Sequence, residues 1–586
     1  MRRAILLGVA ACLGVLLLLP SFASAAPRPA DYVYVNGYVY TVDTNLPLAQ
    51  AVAVTGDRIV FVGSDKGVKK LVGKNTKVVD LKGRLMMPGL IDSHQHPLDG
   101  GASLAENNLG NIQRTIPELQ AILQGWLDAT TDQEPDGWLE VTGYRGALPR
   151  GYHLTKADLD ALDTERPVVI RNWDYHSCWV NTKALTVCGI DKNTPDVPDG
   201  IIERDANGNP TGYFADSAMD LIYSHVPPPA DPEDPLITAQ RAVDALNASG
   251  ITSVMDAYAS DDTMTTWTTL LEQGKLTMRI ANALGGNDEA DWADPEAQIA
   301  KMNALRTKYD VPNRFLVRTL KFINDGVPDY PAQNAWMLEP YLVDDGSGNW
   351  VPGTWRGESW WTPSALKAAY MAANLAGWQT HMHALGDASV RLTLDAIEEA
   401  QKAGASKDLR DTIVHLEPVA RSDVWRFGQL NVIANCQPIW FEWDSSTWDA
   451  AYNYLGQERM NDIYPARSFE IAGAPIAFGS DWSVDPLMPF YGLERAVTRT
   501  AEEWYGYNEM GPLNPWESIT LKNAVKYYTL GSAYQLHMEK NLGTITPGKF
   551  ADMIVLDQNI FKVPIAKVDQ TKVLTTIFNG KVVYKK

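Results

Sequence analysis

Apolar and polar positions follow three textures along the chain. From Tyr32 to Asp80 the pattern is strand-like: Tyr32-Val33-Tyr34-Val35, then Asn36-Gly37, then Tyr38 to Val42. Asn-Gly between two β-rich runs predicts a hairpin, because both residues tolerate the positive φ of a two-residue turn. The same device returns at the far end, where Val573 to Phe578 meets Asn579-Gly580 and continues as Lys581 to Tyr584. Two terminal β-segments of one style predict a small composite β-sandwich domain formed by residues 30–87 and 541–586.

Between them the texture changes. Apolar strands alternate with helical stretches such as Pro363 to Ala376 and Ala388 to Ala403. This is the α/β pattern of a parallel sheet covered by helices, either an open sheet or a (β/α)8 TIM-like barrel. The placement of polar residues favours the barrel. The run Leu85 to Ile91 reads as one buried strand leading to His94 and His96. Phe315 to Ile323 carries Lys321 near its end, Gly377 to His383 ends on His381 and His383, Asp411 to Leu416 carries His415, and Pro475 to Ser480 runs into Asp481. Barrel active sites are assembled at the C-terminal ends of the strands. The barrel is expected over residues 88–540, with an insertion at about 113–229 where alternation breaks down.

The residues at those strand ends carry definite chemistry. His94 and His96, spaced i, i+2 on a strand, share one face. Two neutral imidazoles there form half of a zinc-type site, although such pairs also arise in satisfied polar clusters. His381 and His383 share a face as well, and spacing alone leaves open which of them binds metal. His153, His225 and His537 fall in loop or helix contexts and read as surface or capping residues. Asp481 reads either as a helix cap or as a proton carrier beside a metal. Lys321, on an interior strand, must find an anion or lose its charge. An ion pair with Asp325 is one reading; capture of carbon dioxide as a carbamate between two cations is the other. Trp440, Phe441, Trp443 and Trp448, followed later by Trp482, predict an apolar or aromatic substrate group, and Glu442 and Asp444 could orient an amine.

Composition narrows the class. Lys plus Arg is 51 against Asp plus Glu 71, a net charge of −20 that argues against a nucleic-acid partner. Met1-Arg2-Arg3, the apolar run Ala4 to Leu19 and Ala23-Ser24-Ala25 read as a signal peptide over residues 1–25, hence an exported protein, periplasmic or extracellular, with no stable membrane anchor after its removal. Beyond it only Cys178, Cys188 and Cys436 remain, which is no disulfide framework for a chain of this size. Cys178 and Cys188 could pair in an oxidising compartment, but nothing in the sequence fixes their distance, and two separately buried thiols are the favoured expectation. The expected partner is a small-molecule substrate, and a homo-oligomer is compatible with the chain.

Several stretches together resemble the amidohydrolase superfamily, and more narrowly its amidohydrolase-3 or YtcJ-like branch, which includes N-substituted formamide deformylases. They are Pro88 to His96, Lys321-Phe322-Ile323-Asn324-Asp325-Gly326, His383-Ala384-Leu385-Gly386-Asp387, Val414-His415-Leu416-Glu417, Gly479-Ser480-Asp481, and the closing Gly543 to Asp552. The resemblance implies two divalent metals, usually zinc. It would place His94, His96 and Asp481 on one, His383 and His415 on the other, and N6-carboxylated Lys321 between them. It favours His383 over His381, makes Asp481 the proton carrier, and puts Asp174-Tyr175-His176 and Gln437-Pro438 near the substrate. Substrate contacts are thus expected from His176, Gln437, Trp440 and Trp482. Ala388 in place of a usual arginine, and Leu416-Glu417-Pro418 in place of Glu-His-Ala-Gln, are departures that remove no ligand. The expected activity is metal-dependent hydrolysis of a C–N bond in an amide, formamide or N-acyl compound. A deaminase or cyclic-amide hydrolase is the first rival, and a metal-bearing binding protein without catalysis the second.

Overall fold

The structure, a computed structural model, describes residues 28–586 apart from 131–136, 149–151, 174, 228–232, 287, 331 and 503–506. The signal-peptide expectation and Asp174 lie outside the described residues. Among the described residues no helix is long and apolar enough to cross a membrane.

Eight parallel strands form the central sheet. In chain order they are β1 (Leu90–Gln95), β2 (Ile251–Ala259), β3 (Arg279–Leu284), β4 (Phe315–Ile323), β5 (Gln379–Ala384), β6 (Thr412–His415), β7 (Ile433–Cys436) and β8 (Ile476–Phe478). Each is hydrogen-bonded to the next, giving one continuous ladder from β1 to β8. The strands are buried along nearly their whole length, as a parallel sheet covered on both faces requires. The ends of the ladder meet. Asp481 N–H donates to His94 O at 2.9 Å, His96 N–H to Trp482 O at 2.6 Å, and Ser93 Oγ to Phe478 O at 2.8 Å. Gly479 lies in this seam, where a Cβ would stand 2.7 Å from the backbone N and O of His94. No side chain fits there, so glycine is what lets the last strand approach the first.

Register then sets the site. Parallel pairing puts Lys321 level with His381, Ile323 with His383, and Ala384 with His415. Lys321, His381 and His383 therefore share one face of β4 and β5 at the C-terminal end of the barrel, while His415, level with Ala384, has the opposite parity and turns inward through its left-handed backbone, φ 82°.

Strands from both chain ends form two further sheets. One has four strands, in the order Arg58–Gly63, Ala51–Thr55, Tyr32–Val35 and Lys77–Asp80. The other has six, running from Lys581–Lys585 through Val573–Phe578, Met553–Leu556 and Leu85–Pro88 to Tyr38–Tyr40 and Leu48–Ala49. Tyr34, Val52 and Val54 of the first pack with Val39, Met86, Met553 and Ile577 of the second in one apolar cluster. Asn579-Gly580 makes the expected two-residue hairpin, with φ of 48° and 74°. Asn36-Gly37 does not. Tyr32–Val35 and Tyr38–Tyr40 belong to different sheets, and the turn carries the chain between them. A Cβ on Gly37 would lie 2.5 Å from Leu81, so this glycine serves close packing. The run Leu85 to Ile91 is likewise two strands, broken at Gly89, with Leu85–Pro88 in the β-domain and β1 in the barrel.

Within the expected insertion, five strands form a mixed sheet in the order Leu139–Tyr144, Val168–Asn172, Ser177–Val180, Pro210–Asp216 and Gly200–Arg204. Cys178 is buried in its third strand, Cys188 is half-buried nearby, and both are free thiols.

Candidate metal centre and substrate cavity

The side chains at the ends of β1, β4, β5, β6 and β8 meet in a cavity of about 330 Å³ lined by His94, His96, Lys321, His383, His415 and Asp481. Asp481 is the hub. Its Oδ1 stands 3.2 Å from His94 Nε2 and 3.4 Å from His96 Nε2, and its Oδ2 stands 3.8 Å from His415 Nδ1. Asp481 (φ 57°), His415 (φ 82°) and Leu416 (φ 60°) all hold left-handed backbone conformations. Such positions cost of order 1–3 kcal/mol each for a non-glycine residue and persist where the surroundings over-determine them. Here they aim His415 and Asp481 inward at the ends of two short strands.

His94, His383, His415 and Asp481 are all at most 9% exposed. Burial, reinforced by the Lys321 charge and by neighbouring histidines, holds His94 and His383 well below the ordinary imidazole range. His415 is lowered by burial too, although Asp481 opposes the shift. Burial also works against the charged form of His96, but the hydrogen bond and charge of Asp481 outweigh it and raise its pKa. Asp481 is itself held at about 2: burial opposes its charge, while the His96 hydrogen bond and the neighbouring positive groups favour it more strongly. Burial lowers Lys321 to about 8.

The group fits a divalent metal. His383 Nε2 is buried without a hydrogen-bond partner among the described residues, and His94 Nε2 and Asp481 Oδ1, equally buried, meet only each other and His96 at 3.2–3.4 Å. One ligand atom each from His94, His415 and Asp481 lies within 4.8 Å of the others. Buried polar atoms left unmatched are costly, and neutral imidazole nitrogens with a carboxylate are the donors a borderline-soft divalent ion takes. His381 does not line the cavity: stacked on His94, its Nε2 shares a hydrogen bond of 2.6 Å with His94 Nδ1, which orients His94. Asp325 accepts the amides of Trp336, Leu385 and Gly386 at 2.9–3.2 Å, fastening the loop after β5 rather than serving as the dedicated partner of Lys321.

The Lys321 shift has a consequence for stability. Its pKa is lowered on folding from 10.5 to about 8, so between those values the unfolded chain binds more protons than the folded one and stability rises with pH. Metal-free protein should therefore gain stability from pH 8 to 10 relative to a Lys321→Met variant, measured by urea unfolding; equal slopes in the two proteins would contradict the burial of a titrating amine.

The expected substrate contacts divide. His176 lines the cavity, its ring centroid 5.7 Å from that of His383. Trp440 also lines it, stacked on His415 at 5.5 Å and anchored by Nε1 to Asp485 at 2.6 Å. Gln437 is fully buried and acts through His415 instead: its Oε1 stands 3.1 Å from His415 Nδ1, and its Nε2 donates to Asn435. Trp482 is a packing residue. Its ring fills the space beside Gly100, where a Cβ would lie 2.5 Å from it. Phe441 is core, while Trp443 and Trp448 pack on each other at 5.3 Å. Glu442 and Asp444 do not face an amine either: Glu442 takes Tyr491 and Arg495, and Asp444 pairs with Arg145.

Sequence reasoning missed the cavity residues Asp99, Tyr258, Asp329, Glu417 and Ser483, and it missed Asp216. Asp216 Oδ1 stands 2.7 Å from His176 Nδ1, and its Oδ2 receives Asn334 Nδ2. With φ 48° and ψ −128°, it occupies a conformation that the surrounding hairpin must impose. Its carboxylate orients the imidazole of His176 toward the cavity. Asp216→Ala should retain metal and lower kcat/KM about 10-fold, in line with loss of an orienting partner; a change in metal content instead would show that the pair serves the ligand shell.

A parallel eight-stranded barrel carrying this donor set at its C-terminal end defines a metal-dependent hydrolase. The amidohydrolase family model matches residues 77–584, and the chain belongs to that family, whose hydrolytic chemistry acts on carbon–nitrogen bonds. Over 562 residues it is 28% identical to a putative amidohydrolase, YtcJ, of Bacillus subtilis, covering 94% of this chain and 99% of that one. It is 25% identical over 572 residues to an N-substituted formamide deformylase of Arthrobacter pascens, covering 95% and 98%. A solved metal-dependent hydrolase of Pyrococcus horikoshii shares the fold with a TM-score of 0.66 at 22% identity, over 91% of this chain and 99% of that one.

Proposed function

We propose that this protein is an exported amidohydrolase that releases an amine from an N-substituted formamide or N-acyl compound. The observation that carries the reading is the convergence of buried imidazole nitrogens and a carboxylate, from His94, His96, His383, His415 and Asp481, on one cavity floor beside Lys321. Similarity over nearly the whole chain to an N-substituted formamide deformylase supports the substrate class. The leader-like sequence from Met1 to Ala25 supports export.

His94, His96 and Asp481 would hold one divalent ion, zinc in this reading, and His383 and His415 a second. The Lys321 amine, lowered by burial to about 8, would add to carbon dioxide with formation of an N–C bond and loss of a proton, and the resulting carbamate would supply oxygen ligands. Bound there, the metals supply a Lewis acid for the carbonyl oxygen and bring the pKa of water from its bulk value down to roughly 7. Asp481, ionised at any working pH, accepts the proton of the attacking water and returns it to the departing nitrogen. His381 and Gln437 keep His94 and His415 in place. Trp440 and Trp173 wall the cavity with aromatic surface, and His176 meets the substrate from the insertion.

The test is amine release from a panel of N-formyl and N-acyl amines by the mature chain, with and without chelator. Chelator-sensitive release of a substituted amine is the expected result. Ammonia or a ring-opened acid as the product would assign deamination or cyclic-amide hydrolysis instead.

A further inference from the structure

A second cavity, of about 210 Å³, lies against the metal-bearing one, and the two share Trp173, Val327 and Asp329 in their walls. Seven tyrosine and tryptophan rings line it between polar groups such as Asn172 and Ser177: the insertion supplies Tyr144, Tyr152, Trp173, Trp179 and Tyr213, and barrel loops supply Tyr330 and Tyr454. These rings hold one another. Tyr330 stacks on Tyr454 at 4.9 Å with planes 2° apart, and Trp179 meets Tyr144 at 4.9 Å and Tyr213 at 5.1 Å. A line of rings leads there from the catalytic floor: Trp440 lies on His415, and Trp173 stands edge-on to Trp440 at 6.1 Å.

We infer that this chamber is a subsite for an aromatic ring carried by one substituent of the scissile bond. The inference rests on the amide-hydrolysing reading of the adjoining cavity and names the substrate class within it. Size permits the occupant, since a cavity of roughly 150 Å³ already accepts benzene. Ring faces and edges at several orientations offer the offset and edge-on contacts that favour an aromatic guest over an aliphatic one of equal area. An anionic group is disfavoured: Asp329 and Asp449 are in the walls, and the Arg145 guanidinium is engaged by Asp444 and Asp485. The insertion thereby gains a function, because five of the seven tyrosine and tryptophan rings come from it.

Ala450 lines the chamber and is half-buried, so Ala450→Trp should fill the space. Two substrate series are compared: N-formyl-2-phenylethylamine against N-formylmethylamine, and the N-methylamide of 3-phenylpropionic acid against that of acetic acid. In one series the variant should lower kcat/KM for the phenyl compound at least tenfold while changing the methyl compound less than twofold. Equal changes within both series would overturn the inference. Tyr330→Ala, at an exposed position, should shift the same ratio in the same direction and keeps the test standing if the tryptophan variant does not fold. A binding arm needs no turnover. 2-Phenylethanol should perturb the tryptophan fluorescence of the wild type saturably and that of Ala450→Trp only at more than tenfold higher concentration. If no amide is cleaved but this binding holds, the functional reading fails and the aromatic subsite stands; if amides are cleaved without saturable binding or ring preference, the subsite fails alone.

Discussion

Asp481→Asn should fold, retain metal and lose about 10³-fold in kcat, within the range that removing a general acid–base group produces. The carboxylate meets His94, His96 and His415 at 3.2, 3.4 and 3.8 Å, so the substitution changes charge at a position where shape is already fixed. An amide of the same outline keeps one oxygen to face the histidines and cannot receive a proton. The strained backbone at Asp481, with φ 57°, is tolerated well by asparagine, which adopts the left-handed region more readily than most residues. Loss should therefore appear in turnover and not in stability. Metal content by atomic absorption, thermal unfolding and steady-state kinetics on the same preparation check this. Turnover equal to wild type would remove Asp481 from proton transfer.

Lys321→Ala should lose metal affinity by more than the roughly 10–100-fold that follows loss of an outer-shell partner. Lys321 sits on β4, level with His381 and one strand from His383, and only 3% of it is exposed. Shortening it to alanine removes from the cavity wall the amine whose charge reaches His94, His383 and His415. Short carboxylic acids match the two oxygens of a carbamate and should restore part of both metal content and activity. Metal titration followed by activity, with and without added acetate or propionate, reads this directly. A variant that binds two metals as tightly as the wild type would show that the lysine carries no bridging group.

The outline of this arrangement was legible because barrel strands announce themselves locally. Phe315–Ile323 is the predicted strand, and the helices Pro363–Leu375 and Asp387–Lys402 fall within a residue of their predicted bounds. Apolar runs fully covered by helices need no partner to be recognised, and a polar residue at the end of such a run is conspicuous. Partnership between strands is a different matter. Asn36-Gly37 has the composition of a hairpin turn, but the strands on either side of it join separate sheets through residues far along the chain, Val52 to Val54 for one and Leu85 with Met86 for the other. Leu85 to Ile91 reads as continuous because burial on both sides of Gly89 is equally apolar, although the two strands pair in different sheets.

Roles within the site divided along the same line. His94, His96 and His383 stand at strand ends, where direction follows from strand parity, whereas His415 and Asp481 are turned inward by left-handed backbone that parity does not predict. Trp482 stands one residue from Asp481, yet its side chain points into packing, and Gln437 meets His415 and not the cavity. The aromatic loop from Trp440 to Trp448 was dense in candidates, and only Trp440 reaches the metal-bearing cavity. Asp216 gave no local signal at all: its partner His176 is 40 residues away, and only the pairing of Ser177 with Ala215 brings the two together.

The most direct measurement of the central claim is amine release by chelator-stripped mature protein as zinc is returned in measured equivalents, with N-formyl amines as substrates. The account predicts no release without metal and a rise that saturates near two equivalents. Release that is independent of metal, or none from protein holding two equivalents, would contradict it.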